Sequence, residues 1–429
     1  MHIYFSAIGG SGIGPLALIA HQAGFEVSGS DKQDSRAIEY LRKQGIDNIH
    51  IGQSEAQISK VNASTPIDWF VYSSAVILEN PDSEELAFCE QHNIKTSKRD
   101  EFLNYLLTQK NLKLIAIAGT HGKSTTTAML IWLFKQLNIP ISYSLGAKIS
   151  FGDSGYYDKN SQYFIYEADE FDRNFLSFKP YFSVISGVTW DHHEIFKTRD
   201  DYKHAFKQFL NQSETSLLLT EDAEYLGLDP NGKIKLADQS SVDKIKLLGK
   251  YNRLDALLAV EAVRAVTNLD FEEIIDEINK FPGLERRMEK IIPNLYSDYA
   301  HTPEKIRAAM NVATEMARIT NQLIYVIYEP LTNRRQHYIK DQYSDCFDGA
   351  KHIYWIPSYL AREDPKLPII EPKDLIAYLP DPTIASPAEM NQSLIKTIHK
   401  HLKDGAIVLA LNGGGGSGLD EWLRSNFLS

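Results

Sequence analysis

Cysteine is nearly absent. Cys89 and Cys346 are the only two in 429 residues, which excludes a disulfide framework and fits a reducing compartment. Positive charge is not in excess: 45 Lys and Arg stand against 56 Asp and Glu, a net charge of −11. That balance argues against non-specific nucleic-acid binding. No run approaches the ~20 uninterrupted apolar residues of a membrane-spanning helix. The opening MHIYFSAIGG lacks a basic leader and enters a strand at once, so no secretory signal is read and a cytoplasmic location is expected. Internal repeats and low-complexity tracts are also lacking. The expected partners are small molecules, not nucleic acid or membrane, and the chain is expected to be a monomer or a homodimer.

The length calls for two or three domains, and the chain reads as α/β throughout. Near the N-terminus, strands are expected at His2–Ile8, Glu26–Ser28 and Trp69–Ser73, and helices at Ile13–Ala23 and Arg36–Gln44. This alternation implies a parallel sheet with right-handed crossovers. A polar stretch at Leu106–Asn111 is the first expected boundary. A second unit begins with strand Leu112–Ala118 and continues through helix Thr125–Leu137, strands Tyr163–Tyr166 and Ser183–Ser186, and helix Lys250–Val266. Phe281-Pro282-Gly283 punctuates the chain. After it come Leu295–Tyr299, Pro303–Arg318, Leu323–Tyr328, Ile353–Ile356 and Ala406–Leu411. The expected fold is three α/β domains: an N-terminal Rossmann-like domain at 1–108, a central P-loop ATPase with a mainly parallel sheet at 109–284, and a C-terminal Rossmann-like domain at 285–429.

The most informative run is Gly119-Thr120-His121-Gly122-Lys123-Ser124-Thr125, between a strand and a helix. Loop and helix-start N–H groups in such an arrangement point at phosphates. Lys123 can reach the β/γ oxygens of ATP, and the Ser124 hydroxyl can ligate Mg²⁺. Gly119 stands three residues before Gly122, where the standard loop has five, so the loop is short. A Gly-Lys-Ser before a helix also occurs in plain N-cap turns, but the strand before and helix after favour a nucleotide loop.

Three further constellations accompany it. Ala7-Ile8-Gly9-Gly10-Ser11-Gly12-Ile13-Gly14 resembles a dinucleotide-binding turn, with Ala7 at the first glycine and Asp31 placed where a ribose-binding acid would be. By itself it does not separate a nicotinamide cofactor from a UDP-sugar. Glu167-Ala168-Asp169-Glu170 and Asp191-His192-His193 follow two strands of the central unit. Glu167 and His192 suit a Mg²⁺ near a γ-phosphate, whereas Glu170 and His193 read as solvated loop residues. Arg286 and Arg287, ahead of Asp298-Tyr299-Ala300-His301-Thr302-Pro303, suit a clamp on a transferring phosphate.

The ordered set GTHGKST, EADE, DHH, GKYN, ERRME and DYAHTP resembles the Mur ligases, the ATP-dependent amide-forming enzymes of peptidoglycan assembly. IGGSGIG…GSD, Ser73-Ser74-Ala75 and Asn80-Pro81 resemble the branch that loads UDP-N-acetylmuramate, which contains an alanine-adding and a tripeptide-recycling enzyme. The resemblance implies that ATP and the first Mg²⁺ meet Lys123 and Ser124, and that Glu167 and His192 serve a second Mg²⁺. It places Asn252 and Asp255 at adenine, Arg287 at the γ-phosphate, Asp298 at the ATP ribose and His301 in the catalytic set. Gly9, Gly10, Ser11, Gly12, Ile13, Asp31, Ser73 and Ser74 would hold the UDP-sugar. Arg335, Arg362 and Glu363 would face the amino substrate. The three domains, in chain order, would take UDP-sugar, ATP and amino substrate, with domain closure before chemistry.

Some residues depart from the branch. Tyr251 and Asp255 replace a histidine and an asparagine, Gly187-Val188 replace Asn-Ile, and Thr302 replaces a histidine. Ala361-Arg362-Glu363-Asp364-Pro365 matches the alanine-adding member, while Glu329–Asn333 and Asn412–Gly416 look more like the tripeptide ligase. L-alanine is the expected amino substrate and a tripeptide the alternative. A nicotinamide oxidoreductase would leave GTHGKST unexplained, and a nucleotide switch would not need the glycine turn at the N-terminus.

Overall fold

The structure, a computed structural model, describes residues 1–73, 76, 80–192, 195–358, 360, 367–413 and 418–428. It divides into two compact units, Met1–Ile245 with Asp255–Phe281, and Lys246–Leu254 with Pro282–Ser429. Among the described residues, no helix is long and apolar enough to cross a membrane.

The first unit contains two sheets. Strands β1 (His2–Ser6), β2 (Glu26–Asp31), β3 (Ile49–Ile51), β4 (Trp69–Tyr72) and β5 (Lys95–Lys98) form a five-stranded sheet in the order β3-β2-β1-β4-β5. Every pairing in it is parallel. Chain order reverses direction beside β1, so the glycine turn that follows β1 opens at the switch point where α/β sheets bind ligands. All five β1 residues are buried, as expected of a strand covered on both faces. Pro15 occupies the first turn of the next helix, Gly14–Gln22, where its missing N–H costs nothing.

The second sheet contains β6 (Lys113–Ala118), β7 (Ser142–Ser144), β8 (Gly155–Tyr156), β9 (Tyr163–Glu167), β10 (Phe182–Ile185), β11 (Thr215–Leu218) and β12 (Ile234–Leu236). Their order is β12-β11-β10-β6-β9-β7-β8, parallel except for the β7–β8 edge pair. Central β6 is flanked by β10 and β9, with Ile117 beside Glu167 and Ala118 beside Ile185. Three strand ends therefore deliver their loops to one place.

One apolar cluster joins these two sheets, from Ile3 and Phe5 through Phe102 and Leu106 to Phe164 and Phe206. Within the stretch read as a polar boundary, Leu106–Gln109 is the last turn of helix Arg99–Gln109, which buries Phe102, Leu103, Leu106 and Leu107. Phe102 meets the Trp69 ring edge-on at 5.4 Å. Burying side chains of this size contributes about 1.5–3 kcal/mol each, so the helix is part of the core rather than a linker.

The second unit is built on β13 (Glu289–Ile292), β14 (Leu295–Asp298), β15 (Ile324–Glu329), β16 (Ala350–Trp355), β17 (Ala385–Pro387) and β18 (Ile407–Asn412). The order is β13-β14-β18-β15-β16-β17, with β13 antiparallel at one edge. Helix Pro303–Thr320 covers one face with Ile306, Met310 and Ala313. Leu394, Ile398 and Leu423 cover the other. Helix Lys250–Thr267 contributes its first residues, to Leu254, to this unit and the rest to the first.

Candidate active site

The loop after β6 is shaped by two glycines in left-handed or extended positive-φ conformations, Gly119 (φ 148°) and Gly122 (φ 74°). A Cβ on Gly119 would lie 2.7 Å from Ser186 Oγ, and one on Gly122 would lie 2.5 Å from the Asp255 carboxylate. The loop is fastened to the chain beyond β10. Thr120 N–H donates to Gly187 O at 2.7 Å, Ser186 Oγ donates to His121 O at 2.5 Å, and Thr120 Oγ1 donates to Thr189 O at 2.7 Å. His121 Nε2 meets Thr189 Oγ1 at 2.7 Å. Gly122 then caps helix Lys123–Gln136 with no side-chain hydrogen bond. The donors of the first helical turn, Ser124 and Thr125 included, are thus available to an anion.

Behind the loop sits a carboxylate that the sequence reading placed in solvent. Glu170 is fully buried; its Oε2 accepts from Lys123 Nζ at 2.7 Å, and its Oε1 lies 3.5 Å from His192 Nε2. Lys123 Nζ also donates to Gly119 O at 2.5 Å. Burial works to raise the Glu170 carboxyl, but the Lys123 ammonium and its hydrogen bond, with the nearby His192 imidazole, prevail and bring it down to about 2. For Lys123, burial works downward and the Glu170 and Asp169 carboxylates raise it above its ordinary value. His193 lies outside the described residues.

Glu167 is held separately. Its Oε1 accepts from Ser124 Oγ at 2.6 Å and its Oε2 from Gly146 N–H at 3.0 Å. Ser124 and Glu167 therefore present adjacent hard oxygen donors. Among the described residues, no group of three or more His, Cys, Asp or Glu side chains forms a ready metal cage. Paired oxygen donors like Ser124 and Glu167 suit Mg²⁺, which keeps several waters and takes one or two protein carboxylates beside substrate phosphates.

In the glycine turn, Ala7 has a positive φ of 59°, a strain of about 1–2 kcal/mol where glycine would have none. Asp31 Oδ2 accepts from Gly9 N–H at 2.9 Å. Gly10 N–H donates to Ala7 O at 3.0 Å, and Gly14 N–H to Gly10 O at 2.8 Å. Ser11 is exposed, whereas Ile13 is a core side chain at 1% exposure, so only its backbone can face a ligand. Gly12 leaves room for the Arg99 guanidinium, which a Cβ there would overlap. Arg99 is a further cation at this turn, one the sequence reading did not single out. Ser73 is half-buried just beyond β4, and Ser74 lies outside the described residues.

In the second unit, Arg286 and Met288 adopt positive φ values of 58° and 46°. Arg286 Nη2 donates to Asn412 Oδ1 at 2.7 Å, and its guanidinium lies 4.3 Å from the Tyr299 ring centre. Arg287 Nη1 donates to Tyr299 O at 3.4 Å. Asp298 accepts from Met288 N–H at 2.8 Å. Burial pushes its carboxyl up to about 6, with Arg287 and that N–H opposing. His301 is buried and driven well below its ordinary value, first by burial and then by Lys305, Arg335 and Arg287. It is therefore a neutral imidazole amid cations. Asn252 Nδ2 donates to Leu248 O at 2.8 Å, Tyr251 is 55% exposed, and Asp255 is buried. Arg362 and Glu363, with the rest of 361–366, and Gly414–Gly416 lie outside the described residues.

Residues 2–111 match the Mur ligase family catalytic domain and residues 117–229 the Mur ligase middle domain. A UDP-N-acetylmuramate–L-alanine ligase of Campylobacter jejuni subsp. doylei is 30% identical over 85% of this chain and 87% of its own length. The protein of that name from Clostridium acetobutylicum is 29% identical over 96% and 95%. This chain belongs to the Mur ligase family. Its fold is shared with a UDP-N-acetylmuramate-alanine ligase from Thermotoga maritima, at TM-score 0.74 and 21% identity over 99% of this chain and 98% of that one. A murein peptide ligase from Psychrobacter arcticus gives 0.64 and 21% over 100% and 98%. As a Mur ligase the protein is an ATP-dependent, amide-bond-forming enzyme of peptidoglycan precursor synthesis that acts on small molecules.

Proposed function

We propose that this Mur ligase joins L-alanine to the lactyl carboxylate of UDP-N-acetylmuramate through an acyl phosphate, in the cytoplasm. The observation that carries the phosphoryl-transfer step is the pairing of a buried, charged Lys123 with an uncapped helix start. Such a site stabilises charge developing on a γ-phosphate. Residues 109–284 would bind ATP, with Gly119 to Thr125 around the phosphates and Asn252 and Asp255 toward adenine. Residues 1–108 would hold the UDP-sugar at the β1 turn, with Arg99 added to the residues read from sequence. Residues 285–429 would hold the amino substrate, with Arg335 among its cations. Arg287, Asp298 and His301 would serve the γ-phosphate, the ribose and the reacting groups.

The donor set fits Mg²⁺: Ser124 and Glu167 would hold one ion, with His192 serving a second. Bound there, Mg²⁺ would neutralise charge at the β–γ bridge. The lactyl carboxylate would attack the γ-phosphorus and break its bond to the β–γ bridging oxygen, releasing ADP and leaving an acyl phosphate, while Lys123 and the helix-start N–H groups steady the phosphate oxygens. The neutral amine would then attack the acyl carbonyl; the C–O bond to phosphate breaks, and phosphate and the amine's proton depart. L-alanine is favoured by the names of the full-length relatives, and a tripeptide by the murein peptide ligases of like fold. Phosphate release with UDP-N-acetylmuramate and a panel of L-amino acids or L-Ala-γ-D-Glu-diamino-acid tripeptide decides between them. L-alanine should support turnover; turnover with the tripeptide alone makes this a recycling ligase, and release independent of the UDP-sugar removes the proposal altogether. Glu167→Ala should raise the Mg²⁺ requirement and cut turnover by about 10²-fold; ordinary activity at low Mg²⁺ sinks the metal assignment.

A further inference from the structure

Glu170 is fully buried and stands between two groups that the proposed chemistry uses. One oxygen accepts from the Lys123 ammonium at 2.7 Å; the other is buried without a hydrogen-bond partner among the described residues, and His192 Nε2 stands 3.5 Å from it. The backbone around it is strained to keep it there. Asp172 and Arg173 hold left-handed φ values of 54° and 57°, and His192 holds 53°, each at a cost of about 1–2 kcal/mol. Arg173 N–H donates to Glu170 O at 3.0 Å, and Phe175, buried in the core, donates its N–H to Asp169 O at 3.0 Å. The Phe171 ring meets the His192 imidazole edge-on at 5.3 Å. The segment thus presents Glu170 to Lys123 and the adjacent Phe171 to His192.

We propose that Glu170 is a positioning residue that ties the nucleotide-loop lysine and His192 into one unit. Oε2 holds the ammonium inside the loop. Oε1, buried and otherwise unpaired, takes its hydrogen bond from His192 Nε2 and so sets the imidazole, in its neutral form, in the tautomer whose proton is on Nε2, leaving the lone pair on Nδ1. A carboxylate can accept from both neighbours at once, because each of its oxygens is an acceptor. A histidine that donates one ring N–H to a carboxylate is thereby set to use its other nitrogen as a ligand. Glutamine in the same place has one acceptor and one donor end. Its oxygen would turn to the ammonium, the more demanding donor. Its amide NH₂ would then face His192 Nε2, and the ring proton would move to Nδ1.

The test is made first on nucleotide-free, ¹⁵N-histidine-labelled enzyme, above the imidazole titration range. A His192→Ala spectrum identifies the His192 signals among those of the 13 histidines. Wild type should show the Nε2–H tautomer and Glu170→Gln the Nδ1–H tautomer; the same tautomer in both overturns the proposal. In turnover, Glu170→Gln should lose about 10²-fold, and the Glu170→Gln/His192→Ala double variant should fall little below the worse single. Fully multiplicative losses overturn it too. Should Glu170→Gln fail to fold, Glu170→Asp is charged but one methylene shorter and can satisfy Lys123 alone. A wild-type tautomer in that variant overturns the proposal equally. The inference rests on the ATP-site reading above. If His192→Ala kept an ordinary Mg²⁺ requirement, the cation role would fail, while the nucleotide-free tautomer would still report on Glu170.

Discussion

Glu170 in the first unit and Asp298 in the second are both buried carboxyl groups beside cations, yet they shift in opposite directions. Glu170 has an ammonium at 2.7 Å and stays ionised down to about 2. Asp298 has a backbone N–H at 2.8 Å as its hydrogen-bond donor, and burial carries its carboxyl up to about 6 against the pull of Arg287. Burial penalises both charges; a contact ion pair offsets that penalty and a more distant guanidinium does not. The first unit is therefore built around a permanent ion pair. The second holds an acid and a neutral histidine among arginines, an arrangement suited to receiving a negative charge from outside.

Removing the ammonium is the sharpest way to break this contrast. Lys123→Ala should abolish ATP turnover while leaving UDP-N-acetylmuramate binding nearly intact, since the sugar turn follows β1 and the lysine follows β6. Calorimetric loss of UDP-sugar binding in that variant would separate the substrates differently from the assignment made here. Acid stability comes next. The native Glu170 carboxyl binds its proton near 2 against an ordinary 4.5, so its contribution is complete above about 4.5 and is lost as pH falls toward 2. Asp298 acts in the opposite sense. Its native value of about 6 exceeds the ordinary 3.8, so stability drops as pH rises through that window. Asp298→Asn should therefore gain Tm relative to wild type on going from about pH 4 to about pH 7, by about 2 °C or more. An equal difference at both pH values would show that Asp298 is not raised.

The smallest effects compare two glycines of the first unit. A Cβ on Gly155 would strike the Pro15 carbonyl, which belongs to the backbone and cannot swing away. Gly155→Ala should cost about 1–3 kcal/mol in denaturant unfolding. At Gly12 the obstacle is the mobile end of Arg99. Gly12→Ala should change stability by less than about 0.5 kcal/mol, yet weaken UDP-sugar binding by displacing the guanidinium. Equal stability losses at the two positions would show that Arg99 is fixed.

The nucleotide loop was legible because strand, glycines and helix are local. Helix Thr125–Leu137 was expected and Lys123–Gln136 is found, and Pro303–Arg318 became Pro303–Thr320. Glu170 was misread because EADE after a strand looks hydrophilic. What buries its last residue is a lysine 47 positions away in sequence, which no local pattern reveals. Arg99 left a faint signal: a cation at the first position of a helix opposes the helix dipole, so its presence in Lys98-Arg99-Asp100-Glu101 called for a reason. The polar edge strand Lys95–Lys98 and the charged helix Arg199–Gln212 were passed over. The strand has no apolar side chain and is placed by its pairing with β4, and the helix shows its core face only as Tyr202, Phe206 and Phe209 among charges.

The apolar cluster running from Ile3 to Ile234 limits modular exchange within this enzyme. Severing residues 1–108 from the rest would open this cluster. Cutting there leaves Phe102 and Leu106 without the far side of their core, and leaves Asn104 without the Ser177 carbonyl it bonds at 2.9 Å. A chimaera joined at 108 would keep its stability only if the incoming segment rebuilt that shared core, which makes the two sheets of the first unit one folding unit.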